Sequence, residues 1–417
     1  MVGKTPLEEL ISRTREAVKP LGHSESTLWH YDYGWEQLRR FHVERGTDAF
    51  SVDLANEHVG EVRQRYESGA IKIWKFKLTR RCVAYLIQFY ESGVIRWSQL
   101  PRWGRVGIKT PSYLDMAHQY EQHLWDRAYG QGTIEFYRLT ADQLLSFLED
   151  RHVCNLEQWT LGEISRFISH SSTHHQPTSM RTVLSALRSF LRFVCDSGSA
   201  TSDLTRAVPQ SSGRRTTLVP TITADEEKRL LAAIDRRSAV GKRDFAMILL
   251  ALRLGLRSID IVKLKLENID WRTSTITIVQ KKTGRRLVTP LLGDVGNALI
   301  DYLVNSRPTS SPPYVFLRNS APYVHLSQSS SVYYAVASSM RIARIRQGEK
   351  ENRGAHCLRH SLAARLLGAE TPLPIISGIL GHANKESTRI YLSSDIEHLR
   401  ACALSLEGIE VGREVLS

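Results

Sequence analysis

The sequence predicts a multidomain protein, with α-helical domains in its first half and a mainly α domain carrying a small antiparallel β-sheet in its second half. Three observations support this fold class. The chain has 417 residues, whereas one domain has roughly 150. Apolar residues recur at helical spacing before residue 209. After residue 220, β-branched residues over Thr273 to Val279 predict a strand.

The composition is that of an ordinary globular protein, with 42% hydrophobic and 24% charged residues. Lysine and arginine number 56 against 43 acidic residues, which gives a net charge of +13 and a pI near 9.6. This excess favours a polyanionic partner such as nucleic acid.

Cysteine usage and hydropathy indicate a reduced, cytoplasmic setting. Five cysteines are widely scattered, without the spacing of a disulfide framework or a zinc site. The N-terminus carries acids where a signal peptide needs an apolar core, and the most apolar run, Phe245 to Leu252, is too short to span a bilayer. We expect no membrane partner.

The domain boundaries follow from a break in the apolar pattern. Residues 209–220 lie between two prolines and have no apolar periodicity, so they are predicted to be a linker. Residues 1–107 and 110–208 are predicted to be two helical domains, and residues 221–417 a third, mixed domain.

The first half contains a candidate internal repeat. Apolar and aromatic positions have counterparts 106 residues further on, among them Tyr31 and Tyr137, and Leu38 and Leu144. Either the two helical domains arose by duplication, or two amphipathic bundles simply share such faces.

The second half gives three local predictions. The sequence from Thr223 to Glu226 is a capping box that begins a helix. A second helix, through Phe245 to Leu252, ends at Gly255. The strand ending at Val279 turns back through a basic tip, which predicts a β-hairpin.

Four motifs follow the linker in a fixed order. They are Leu254-Gly-Leu-Arg257-Ser-Ile-Asp260, Gln280-Lys-Lys282-Thr-Gly284, His356-Cys-Leu-Arg359-His360, and Leu380-Gly-His382 with Tyr391 nine residues later. This ordered set resembles the tyrosine recombinase family of phage and transposon integrases and Xer-type recombinases. The resemblance covers about residues 220–400.

The resemblance implies the following organisation. Residues 110–208 look like the SAM-like core-binding domain, and residues 221–417 like the catalytic domain. Residues 1–107 lie outside the match and are expected to bind DNA or support assembly. The implied activity is site-specific recombination or integration by a mobile element, through a 3′-phosphotyrosine intermediate and a Holliday junction. The implied partners are double-stranded DNA sites, a homo-tetramer and accessory recombination proteins.

The two motif arginines suit attack on a phosphodiester. The reaction adds negative charge to the non-bridging oxygens, and a guanidinium is planar, always charged and able to donate two parallel hydrogen bonds. Arg257 and Arg359 are therefore the candidates for phosphate binding. Without the family resemblance, each would more often be a surface arginine after or on a helix.

Tyr391 is the candidate nucleophile, because a phosphotyrosine link conserves the energy of the broken bond and needs neither ATP nor a metal. His356 lies on the same helical face as Arg359 and is expected either to accept the tyrosine proton or to bind the phosphate. His382 is expected to donate to a phosphate oxygen. Any one of these three side chains alone would more often be a core residue.

The basic hairpin supplies the candidate for protonating the leaving 5′ oxygen. We assign this role to Lys282, whose Lys-Thr-Gly context resembles the integrase motif, although Lys281 is adjacent. Lys281, Arg285 and Arg286 are candidate DNA contacts. Asp260 is expected either to orient Arg257 or to be a plain surface acid.

No cofactor or metal is predicted. His170, His174 and His175 lack the cysteine or acid that would complete a metal site. The alternatives to a recombinase are a type IB topoisomerase, which would use the same residues as a monomer, and a DNA-binding regulator that has lost catalysis. The presence of all six catalytic positions argues against the regulator.

Overall fold

The computed structural model describes residues 6–98, 100, 108–175, 177–197, 203–210, 219–348, 353–382, 384 and 386–394. These residues form two compact units. One unit combines the described residues up to Ser98 with those after Thr217, and the other is formed by the described residues between them.

The N-terminal segment of the first unit contains four helices: α1 (Leu7–Val18), α2 (Glu25–Glu44), α3 (Val52–Glu67) and α4 (Ile73–Ser92). Ser24 and Ser51 cap α2 and α3 by accepting backbone N–H groups. Trp35, Leu38 and Leu86 are fully buried and belong to a hydrophobic core of their own. Burial of these helix faces holds the segment together.

The second unit is also helical, with α5 (Pro111–Asp126), α6 (Gln131–Asp150), α7 (Leu161–His174) and α8 (Pro177–Asp196). Its separate core includes Leu144, Phe190 and Leu191. The helices match those of the N-terminal segment in order, and α2, α4, α6 and α8 each have 20 residues. Either a duplication or two similar amphipathic bundles would produce this correspondence.

The C-terminal segment of the first unit is mainly helical around a small sheet. Its elements are α9 (Ala224–Ala232), α10 (Ala239–Arg253), α11 (Ser258–Val262), β1 (Ile269–Asp270), β2 (Thr275–Val279), β3 (Arg286–Pro290), α12 (Gly293–Asn305), α13 (Ser330–Ile342), α14 (Ala355–Gly368), α15 (Leu373–Leu380) and α16 (Glu386–Arg389). A 3-10 turn, Ile390–Ser394, follows α16.

Helix α10 is the centre of this segment. Seven consecutive residues, 246–252, are buried because α12, α13 and α14 pack around the helix. The three strands form an antiparallel sheet in the order β1-β2-β3, with Ile278 opposite Leu287. The core therefore fixes the end of α10, the start of α14 and the β2–β3 hairpin in one place.

The structure confirms the capping box at the start of α9 and the hairpin of β2 and β3. Strand β1 was not predicted, because two residues are too short for an alternating pattern. The apolar spacing after Asp395 predicts one more helix, but that segment lies outside the described residues, as does most of the 209–220 linker. The domain limits stay predictions.

Candidate active site

Arg257 lies at the start of α11, directly after the turn that ends α10. Gly255 makes this turn with φ +63°, and a Cβ there would lie 2.7 Å from Leu380 Cδ2. One guanidinium nitrogen of Arg257, Nη2, donates to the Gly381 carbonyl at 3.3 Å. The other, Nη1, is buried without a hydrogen-bond partner in the described part of the chain. Such a donor is available to an anion.

Arg359 is buried on α14, with 3% of its surface exposed. Its Nη1 donates to the Gly255 carbonyl, and its Nη2 donates to the Leu380 carbonyl at 2.8 Å. Burial, followed by the nearby charge of Arg257, lowers the pKa of Arg359 to about 10. The guanidinium therefore stays charged at neutral pH and is held in place by backbone carbonyls.

Gln280 connects the hairpin to the end of α15. Its side chain is fully buried and donates to the Leu380 carbonyl at 3.2 Å, while Thr283 donates to Gln280 Oε1 at 2.8 Å. Gly381 ends α15 with φ +61°, and a Cβ there would lie 2.4 Å from Gln280 Nε2. Only glycine allows this close approach.

The basic hairpin tip is positioned by two contacts. Lys281 donates its backbone N–H to Asp260 Oδ1 at 2.8 Å. Arg285 donates to the His382 carbonyl at 3.1 Å. Lys281 and Lys282 themselves are exposed, as is Arg286. The tip therefore presents its ammonium groups beside the two arginines.

Asp260 differs from its expected role. It was predicted to orient the Arg257 guanidinium or to be a plain surface acid. Instead it is 3% exposed and holds the Lys281 backbone, while the Arg257 hydrogen bond goes to Gly381. Burial raises the pKa of Asp260, although the Lys281 hydrogen bond and the nearby arginines oppose that shift.

Two candidate histidines are held neutral by their surroundings. His356 keeps an exposed edge, but partial loss of water and the charges of Arg359, Lys282 and Arg257 lower its pKa. Burial lowers the pKa of His382 to about 4, with Arg359 contributing next. His382 Nδ1 lies 2.7 Å from Thr388 Oγ1. Neutral imidazoles are suited to hydrogen bonding with a phosphate.

Tyr391 lies in the 3-10 turn after α16, with 1% of its surface exposed. Its ring is parallel to that of His382, with centroids 6.3 Å apart. Its hydroxyl lies 3.0 Å from Nδ1 of His360. Burial raises the pKa of Tyr391, whereas the charge and hydrogen bond of Arg359 lower it.

His360 is the residue that the sequence reasoning missed. It belongs to a motif quoted above, and of the two histidines there only the first, His356, has a predicted role. The available signal was helical spacing, since His360 is four residues after His356 and so lies on the same face of α14. The contact with Tyr391 spans 31 residues of sequence and could not be derived locally.

No metal centre is found in the described part of the chain, where no group of three His, Cys, Asp or Glu side chains could hold an ion. None of the described helices is long and apolar enough to cross a membrane.

Comparison with known sequences assigns the chain to a family. Residues 220–398 match the phage integrase family, and residues 117–198 match the phage integrase N-terminal SAM-like domain. A protein of Sinorhizobium fredii named integrase/recombinase y4rA is 37% identical over 291 residues, which cover 69% of this chain and 70% of that protein. The chain belongs to the tyrosine recombinase family. It is therefore an enzyme of site-specific DNA recombination.

More distant relatives of this tyrosine recombinase agree with the assignment. Tyrosine recombinase XerD of Lacticaseibacillus casei is 25% identical over 66% of this chain and 92% of its own length. Two solved structures share the fold: XerH bound to a palindromic difH substrate (TM-score 0.55, 16% identity, 98% of each chain) and a lambda integrase dimer bound to a core site (TM-score 0.53, 20% identity, 72% of this chain and 97% of that one). The predicted fold class is confirmed.

Proposed function

We propose that this recombinase cuts and rejoins DNA at specific sites through a 3′-phosphotyrosine intermediate on Tyr391. The observation that carries the proposal is the convergence of Arg257, Arg359, His382 and Tyr391 around the end of α15. Arg257 and Arg359 both donate to backbone carbonyls of residues 380–381, and Tyr391 contacts Arg359. A phosphate placed here would meet two guanidinium groups and a nucleophile at once.

The remaining residues suit the leaving 5′ oxygen and the non-bridging oxygens of the phosphate. Lys282, on the hairpin tip, protonates the departing 5′ oxygen, because an alkoxide leaves far less readily than an alcohol. His356 and His382 hydrogen-bond the non-bridging oxygens as neutral imidazoles. No metal, nucleotide or other cofactor is required by these steps.

A basic cleft in the second unit supports duplex DNA as the partner. It is lined by the C-terminal end of α5 and one face of α8, with Arg127, Arg188 and Arg192 among its residues and Asp196 as its acid. Such a cluster is suited to backbone phosphates. The hairpin tip offers phosphates the same kind of contact through Lys281, Arg285 and Arg286.

The biological setting is proposed from the family. The enzyme acts as a homo-tetramer on two DNA sites, exchanges strands through a Holliday junction and moves or integrates a mobile element in the cytoplasm, in association with the nucleoid and with accessory recombination proteins. Residues 1–107 contribute to DNA binding or assembly. Sequencing the DNA that is covalently trapped on the protein in its host identifies the target site.

The test of this function is Tyr391→Phe on a suicide substrate that is nicked near the cleavage point. We expect the wild type to form a covalent complex with a free 5′ hydroxyl on the DNA, and the variant to form none while still binding DNA. Tyr334→Phe, at a tyrosine with 68% of its surface exposed, is the matched control and should cleave normally.

Three kinds of result would contradict the proposal. One is an adduct on the Phe variant, or an adduct that peptide mapping places on another tyrosine. The second is relaxation of any supercoiled plasmid by the monomer, which would indicate a type IB topoisomerase. Site-specific binding without cleavage by the wild type would indicate a regulator.

A further inference from the structure

The Tyr391 side chain is almost completely buried, so its hydroxyl proton needs an acceptor within the protein. The residue is 1% exposed, and His360 Nδ1 lies 3.0 Å from the hydroxyl oxygen. The two rings contact each other with centroids 5.5 Å apart. The 3.0 Å between His360 Nδ1 and the hydroxyl oxygen is within the range of direct proton transfer.

His356, the histidine with which the sequence motif begins, is placed differently. It lies one helical turn before His360, with ring centroids 5.9 Å apart, and it keeps an exposed edge. Its pKa responds to Lys282, Arg257 and Arg359, so it faces the groups that would surround the phosphate. The two histidines of α14 therefore face different partners.

We propose that His360 is the general base that takes the proton from Tyr391, a role that rests on the proposed function. As the tyrosine oxygen forms its bond to phosphorus, its proton passes to His360 Nδ1. The bond from phosphorus to the 5′ oxygen breaks, and Lys282 supplies a proton to that oxygen. During rejoining, the 5′ hydroxyl attacks phosphorus, Lys282 recovers its proton, and His360 returns its proton to the tyrosine.

The surrounding charges restrict this transfer to the DNA complex. His360 has Arg359 and His356 on its own helix and contacts Tyr391, and it interacts electrostatically with His382, whose pKa Arg359 and Arg257 also lower. The two arginines oppose a further positive charge at this point. A bound phosphate supplies negative charge and removes that opposition, so the base acts once the substrate is in place.

The experiment compares His360→Asn with His356→Asn in the full chain. The asparagine amide takes the place of Nδ1 and keeps a hydrogen bond to Tyr391, but it cannot accept the proton. We expect His360→Asn to slow single-turnover cleavage of the suicide substrate at least ~100-fold, the usual contribution of a general base, with DNA binding unchanged.

A second substitution distinguishes proton transfer from positioning. Replacing Tyr391 with 3,5-difluorotyrosine lowers the pKa of the phenol, so that less assistance from a base is needed. The defect of His360→Asn should then shrink about tenfold, as a Brønsted dependence implies, while the defect of His356→Asn should stay the same.

Three results would overturn the assignment: cleavage by His360→Asn at the wild-type rate, no rescue by the fluorinated tyrosine, or equal rescue of the two variants. If asparagine prevents folding, His360→Gln is measured with the same rescue criterion. A wild type that forms no adduct at Tyr391 would refute the proposed function itself, whereas normal wild-type cleavage with no His360 effect would refute this inference alone.

Discussion

Charged side chains are arranged in opposite ways in the N-terminal helices and around α14. In α1–α4, arginines pair with carboxylates at the surface, as in the contacts of Glu36 with Arg39 and Arg40, whose side chains are 37–63% exposed. Near α14, Arg359 and Asp260 are each 3% exposed, and each has a hydrogen bond to a backbone group.

The two arrangements differ in their effect on stability and in what they offer a ligand. An exposed ion pair contributes about 0–1 kcal/mol because water screens it. A buried guanidinium loses several kcal/mol of hydration, which carbonyl contacts restore only in part. The second arrangement costs stability, and it leaves a preorganised positive potential where a phosphate would bind.

The largest expected effect tests whether an exposed charge at the site can matter as much as a buried one. Lys282→Ala should slow cleavage about 100-fold or more, as loss of a general acid does, while DNA affinity changes little. Lys281→Ala is the matched control. A substrate with a 5′-bridging sulfur should rescue Lys282→Ala, because a thiolate leaves without a proton. Rescue of the Lys281 variant alone would move the role to that lysine.

The next effect concerns the close packing that holds the buried groups. Gly381→Ala would place a Cβ 2.4 Å from the Gln280 amide at a φ of +61°. We expect a loss of about 2–4 kcal/mol in unfolding free energy, from left-handed strain and overpacking together. Urea denaturation measures it. Gly293→Ala, where no heavy atom lies within 4 Å, should change little. Equal losses at both positions would disprove the packing argument.

A smaller effect tests the buried carboxylate. Burial raises the pKa of Asp260 in the folded protein. The protonated carboxyl therefore contributes to the unfolding free energy below the unfolded-state pKa of about 3.9, and this contribution is lost as the pH rises through the raised pKa of the folded state. Asp260→Asn removes the ionisation but keeps an acceptor for the Lys281 N–H. Relative to wild type, the variant should therefore be more stable at pH 7 than at pH 4, as denaturation at the two pH values would show. A pH-independent difference would contradict this account.

The smallest effect is expected at the surface of α2. Hydrogen bonds from Arg39 and Arg40 lower the pKa of Glu36 to about 2. The ionised carboxylate therefore contributes to the unfolding free energy at neutral pH, and this contribution is lost as the pH falls below about 4. Glu36→Gln should cost less than about 1 kcal/mol at low salt and almost nothing in 1 M salt. A loss as large as that of Gly381→Ala would remove the distinction between the two regions.

Local sequence patterns were sufficient for much of the fold. The capping box that starts α9 and the hairpin of β2 and β3 depend on neighbouring residues, and both were predicted correctly. The family was recognised because four motifs occur in a fixed order, which requires no knowledge of their contacts. The roles of the individual site residues remain predictions that the experiments above test.

The sequence by itself determined the helical periodicity, the hairpin, the basic charge and the identity of the chemical groups, because each depends on residue type and local spacing. Only the tertiary structure decided which groups meet. Asp260 holds Lys281 rather than Arg257, Gln280 reaches a carbonyl 100 residues away, and His360 contacts Tyr391. Such pairings arise from the packing of α10, α14 and α15 around a common core, and side-chain packing between distant segments has no periodic signature in the sequence.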